Sequence, residues 1–101
     1  MKEKAIERSR RPKHPGEALR EVHLPALEMS ISEFADKIGV SRQTVHALLA
    51  EKRGVSADMA LRLAKFFNTS PGMWLNLQRD VDLWDAMKQG RKEYDRIESI
   101  A

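Results

Sequence analysis

Seven polar side chains fall within a short stretch of this chain: Ser41, Arg42, Gln43, Thr44 and His46, followed by Lys52 and Arg53. Behind them run Val45, Leu48 and Leu49 at i, i+3, i+4 spacing, the signature of a helix with one apolar face. Ser41 caps that helix, and Arg42, Gln43, Thr44 and His46 avoid its apolar stripe at the N-terminal end. An exposed helix end of this kind suits hydrogen bonding to base edges. The arginine fork matches guanine O6 and N7, and the glutamine amide matches adenine N6 and N7. The Ser41 and Thr44 hydroxyls and the free helix amides suit phosphate oxygens. His46 is a further candidate for groove contact, and Lys52 and Arg53 for clamping the flanking backbone. The chemistry is recognition, with no bond broken. These residues are also ordinary solvated first-turn side chains, and capping alone explains a serine, so the weight rests on the frame that holds them.

That frame is a pair of short helices. Ser30-Ile31-Ser32-Glu33 is a capping box, in which the serine hydroxyl and the glutamate carboxylate each satisfy a backbone amide of the first turn. Phe34, Ala35 and Ile38 form one apolar face, and Gly39 ends the helix where a left-handed residue is needed. Gly39-Val40-Ser41 is then a tight turn into the polar helix, with Ala35 four residues before the glycine. Two helices crossing closely need a small residue at the contact. The set reads as a helix-turn-helix, while a generic helical bundle with a short turn is the plainer alternative.

Four more features complete an all-α reading. His14-Pro15-Gly16-Glu17 opens a first helix over roughly Pro15–Val22. Gly54 is expected to close the exit of the polar helix. Ser56 caps a fourth helix, Ala57 to Phe67, with Ala60, Leu63, Ala64 and Phe67 inward. Ser70 and Pro71 start a fifth, expected to run to Lys88. Met73, Trp74, Leu77, Val81, Trp84 and Met87 share one broad face of it, while Leu75 and Leu83 lie off that face. A helix with two apolar sides touches two things. We therefore expect a homodimer contact built from Trp74, Leu75, Leu83 and Trp84, with Tyr94, Ile97 and Ile100 either extending it or fraying.

Composition narrows the function classes. The chain has 101 residues and no cysteine, which excludes disulfides, thiolate nucleophiles and cysteine-ligated metals. Its histidines, His14, His23 and His46, include no i, i+4 ligand pair. Asp80, Asp82 and Asp85 lack the glycine of a calcium loop and read as a solvated helix face. No enzyme, cofactor or metal is expected. The longest apolar run, Ala47 to Ala50, is far too short to span a membrane, and no apolar segment follows Lys2-Glu3-Lys4 as in a secretory signal. A cytoplasmic protein is the expectation. The net charge of +3 is uneven: residues 1–13 carry six basic and two acidic side chains. We divide the chain into a basic arm (1–13), a helical domain ending in a dimerisation helix (14–88) and a short tail (89–101).

Longer phrases strengthen this reading. His14-Pro15-Gly16-Glu17 with Leu19-Arg20-Glu21, Gly39-Val40-Ser41-Arg42, Met59 through Ala64, and Trp74 through Gln78 with Asp82-Leu83-Trp84 occur in a fixed order. In this the chain resembles the HigA-type antitoxins, a branch of the phage-repressor-like helix-turn-helix regulators. The resemblance implies a five-helix, lambda-repressor-like fold that dimerises through its C-terminal part and binds double-stranded DNA at a palindromic operator. It also implies repression of the chain's own operon and neutralisation of a RelE-like, ribosome-dependent mRNA-cleaving toxin. A stand-alone regulator without a toxin, or an interaction module with weak DNA binding, are the alternatives.

Overall fold

Four serines start four helices by one mechanism. In the computed structural model, which describes residues 10–100, the hydroxyls of Ser30, Ser41, Ser56 and Ser70 accept from the amides of Glu33, Thr44, Met59 and Met73. Each bond satisfies a donor that has no partner within its own helix. The helices are α2 (Ile31–Ile38), α3 (Arg42–Leu49), α4 (Ala57–Phe67) and α5 (Pro71–Asp95). Preceding them, α1 (Pro15–Ala18) runs on into a π-helical turn, Leu19–His23. The described chain contains no strand.

At α2 the capping box is complete, with Ser30 and Glu33 bonding each other's amides at 3.1 Å. The start of α1 uses a cap the sequence reading did not anticipate: His14 Nδ1 accepts from the Gly16 amide at 2.8 Å. The π turn closes with the Leu24 amide donating to the Leu19 carbonyl. It ends on His23, whose ring lies 5.2 Å from Phe67 and 5.0 Å from Trp74.

Helix exits are made by left-handed residues at Gly39 (φ 76°), Glu51 (φ 61°) and Asn68 (φ 57°). Gly54 is not among them, so the expectation that it closes α3 is corrected. The turn comes three residues earlier, on a glutamate.

The core joins Leu19 of the first segment, Phe34, Ala35 and Ile38 of α2, Val45 and Leu48 of α3, and the inner faces of α4 and α5. Met59, Ala60, Leu63 and Ala64 are the buried residues of α4, while Phe67 is only half-buried because it caps the cluster of rings around His23 and Trp74. Gly16 lets α1 approach α3, since a Cβ there would overlap the Leu48 carbonyl. No side chain fits that crossing.

Helix α5 does not stop at Lys88 but continues through Asp95, taking in the first residues of the expected tail. Trp74 and Val81 bury its first half, and beyond Val81 none of its residues is buried. At about 1.5 Å per residue its 25 residues span roughly 37 Å. That projection gives the molecule its 51 × 22 × 21 Å extents.

Candidate nucleic-acid interface

The polar end of α3 is held from three sides. Ser41 accepts from the Thr44 amide at 3.1 Å and donates its own hydroxyl to Thr44 Oγ1 at 2.9 Å. The turn before it is closed by the Val40 amide on the Ala35 carbonyl and the Gly39 amide on the Asp36 carbonyl, which needs the left-handed residue that glycine supplies. From α4, Arg62 donates to the carbonyls of Ile38 (2.8 Å) and Gly39 (3.2 Å) while its Nε holds Asp58. Sequence reasoning missed Arg62, because nothing local marks an arginine 23 residues away as the lock of the turn.

The structure places Arg42 and Gln43 exposed on this end and Thr44 half-buried at its edge, while His46, expected at the same end, is exposed in the last turn of the helix. Arg42 leans back, its guanidinium 3.4 Å from the Ser32 hydroxyl of α2. Lys52 and Arg53 are exposed just past the helix. Four of the seven residues thus lie at the start of α3, His46 in its last turn and two beyond its exit.

The exit is dense with charge. The Lys52 amide donates to the Ala47 carbonyl and the Glu51 amide to the Leu48 carbonyl, a Schellman pair with Glu51 at its left-handed position. The Glu51 carboxylate takes Arg11 at 3.1 Å and Arg20 at 3.5 Å. Arg20 also donates to the Leu49 carbonyl at 2.6 Å. Arg11 forks onto Asp85 of α5 at 2.8 and 2.9 Å. Gln78 accepts from the Val55 amide at 2.8 Å and donates to Asp82. Hydrogen bonding to Arg11 holds the Asp85 carboxyl below its usual range, and the same bond holds the Arg11 guanidinium above its own. His14, 3% exposed beside this cluster, has its pKa lowered by burial.

Two expectations change here. Arg11 is no free cation of a basic arm, and Asp85 is no idle solvated carboxylate; they pair with each other. Arg10 and Lys13 are exposed, while residues 1–9, including Arg8, lie outside the described residues.

The expected dimer contact is corrected at Trp74. Its side chain is fully buried, with Nε1 donating to Thr69 Oγ1 at 2.9 Å, because it faces the ring cluster of the chain's own core. Leu75 is 37% exposed, and Leu83 is half-buried. These two line a shallow, mainly apolar groove of about 530 Å³ with Val55 and Ala86. Trp84 is half-buried under the Lys88 ammonium, 5.2 Å from its ring. Among the described residues no helix is long and apolar enough to cross a membrane.

Two short helices meeting at a left-handed glycine turn, the second presenting a capped polar end, define a helix-turn-helix protein. The chain belongs to the helix-turn-helix family, which it matches over residues 18–74. It is similar to the uncharacterized HTH-type transcriptional regulator YbaQ of Escherichia coli K12, with 41% identity over 95 residues, 92% of this chain and 84% of YbaQ. Among solved structures, the Pseudomonas aeruginosa antitoxin HigA with the higBA promoter is 40% identical at a TM-score of 0.84, covering 90% of this chain and all of that one. Antitoxin GraA in complex with its operator is 41% identical, also at 0.84, covering 93% of this chain and 96% of that one. Within its family the chain is of the HigA antitoxin type.

Proposed function

We propose that the chain is a cytoplasmic, sequence-specific repressor of its own operon and the antitoxin of a toxin–antitoxin pair. Its target is a palindromic double-stranded operator, bound by a homodimer whose two α3 helices enter successive major grooves. Arg42 and Gln43 read base edges. Ser41, Thr44, Lys52 and Arg53 hold phosphates, and His46 lines the groove. The toxin it neutralises is RelE-like and cleaves mRNA.

One observation carries the DNA-binding reading: the exposed, polar start of α3 is fixed by bonds from its own cap and from Arg62. Side chains that read bases need such a rigid mount, because a loose one loses the geometry that discriminates. The presence of promoter or operator DNA in the structures of HigA and GraA supports the same reading. The dimer reading rests on the groove between Leu75 and Leu83, at the border of the packed and projecting halves of α5.

The test is fluorescence anisotropy with the DNA upstream of the chain's own reading frame against a scrambled duplex of equal length. Specific binding at physiological salt, with a sedimentation mass of two chains, is the expected result. Equal affinity for the two duplexes rejects base reading. The toxin assignment is tested apart from it: a small neighbouring reading frame whose product is toxic alone and co-purifies with this chain. Its absence leaves a stand-alone regulator.

A further inference from the structure

Glu51 is the wrong residue for its position by two measures. Its backbone is left-handed (φ 61°) at the end of a helix, where glycine and asparagine serve at Gly39 and Asn68. Its negative charge also precedes Lys52 and Arg53, the two cations assigned to phosphate contact, and lowers the local attraction for a polyanion.

The contacts of its carboxylate supply the reason for a glutamate here. One oxygen takes Arg11 at 3.1 Å and the other takes Arg20 at 3.5 Å. Arg11 is itself forked onto Asp85 of α5, and Arg20 is bonded to the Leu49 carbonyl. On the far side of the turn, Gln78 of α5 holds the Val55 amide, with its amide group packed against Gly54. The loop carrying Lys52 and Arg53 is thus pinned at both ends, at Glu51 and at Val55, to α5 and the first helical segment. Glu51 is the pin that carries charge.

We propose that Glu51 is a positioning residue for DNA binding: through Arg11 and Arg20 it sets the loop that directs Lys52 and Arg53 at the phosphate backbone, and its removal weakens operator binding although it removes a negative charge. This rests on the DNA-binding reading above. Long-range electrostatics makes the opposite forecast, tighter binding of every sequence once the carboxylate is gone.

The probe is a fluorescein-labelled duplex selected from a random library by the wild-type chain, with a scrambled duplex as control. The wild type is compared first with two variants at this position, Glu51→Gln and Glu51→Gly. The glycine variant relieves the left-handed strain, so it folds whether or not the carboxylate is needed for binding. Both variants are expected to bind the selected duplex about tenfold more weakly, and the slope of log affinity against log salt is expected to be about one unit shallower as a phosphate contact is lost. Arg11→Gln is expected to reproduce the effect. Variants that bind the selected duplex as tightly as wild type, or more tightly, overturn the proposal, and so does a weakening at unchanged salt slope. A wild type that binds no duplex at all rejects the DNA-binding reading itself, and this inference with it.

Discussion

The two ends of α3 are held in place by different means. At its start the cap is local, Ser41 holding the Thr44 amide three residues away, and Arg62 of α4 adds a remote hold on the turn before it. At its exit almost everything is remote. Glu51 depends on Arg11 and Arg20, Arg11 depends on Asp85, and Val55 depends on Gln78. In the proposed function the start reads bases, which needs side chains that are free to reach and a backbone that does not move. The loop after the exit has no helix hydrogen bonds to stiffen it, so its rigidity has to come from other elements. The difference teaches where a mutation acts: at the start it acts mostly on the cap and the turn behind it, at the exit on three elements together.

The largest expected effect strikes beneath the exit. Gly16→Ala forces a methyl against the Leu48 backbone carbonyl, where no rotamer of either residue relieves it. Overpacking of this kind costs roughly 1–3 kcal/mol. For a domain of this size that is a fall in Tm of about 4–8 °C per kcal/mol, read by thermal unfolding. An unchanged Tm would show that α1 and α3 do not cross as described. Next comes Gln43→Ala at the start. Its side chain is exposed, so stability should hold within about 0.5 kcal/mol. The preference for operator over scrambled DNA should fall by ~1–3 kcal/mol. An unaltered preference removes Gln43 from base reading.

Ser41→Ala is smaller and sharpens the contrast. Loss of the cap should cost about 1 kcal/mol of stability, because the Thr44 amide loses its acceptor. Its damage should stay at the start of α3, with amide exchange faster there and unchanged around Glu51. The smallest effect is a pH dependence at the exit. Burial lowers the His14 pKa, and its neutral Nδ1 accepts from the Gly16 amide, a bond that protonation removes. A base with a depressed folded pKa favours the folded state fully above its unfolded value near 6.5. Below that pH the unfolded chain takes up the proton first, and stability falls until the folded His14 also titrates. The Asp85 contribution has the same sign lower down, being lost as pH falls below the ordinary carboxylate range. His14→Asn keeps a capping acceptor and should flatten the upper part of this curve, followed as Tm between pH 8 and 5.

Sequence and structure agree where the physics is short-range. The capping box at Ser30 and Glu33, the turn at Gly39 and the four serine starts were readable because each depends on residues within four positions. The exit of α3 was misread at Gly54 because a glutamate carries no signal for a left-handed turn. Trp74 was misassigned to a dimer face for a related reason. Periodicity identifies an apolar side of α5 but not whether the chain's own core or a second chain covers it, and here Thr69, Phe67 and His23 do.

What the sequence by itself determined is the helix-turn-helix: its caps, its glycine, its small Ala35 at the crossing and the set of polar side chains at the start of α3. Those follow from local hydrogen bonding and from steric limits on φ, which neighbouring residues fix. The tertiary structure alone decided that Arg11 is a tether and not an arm, that Glu51 occupies a glycine's place, and that Arg62 locks the turn from another helix. Such contacts join residues up to 74 apart, and no local rule of spacing selects one partner among the 15 acidic and 18 basic side chains of this chain. Packing brings the partners within reach, and only then do charge and hydrogen-bond geometry choose between them.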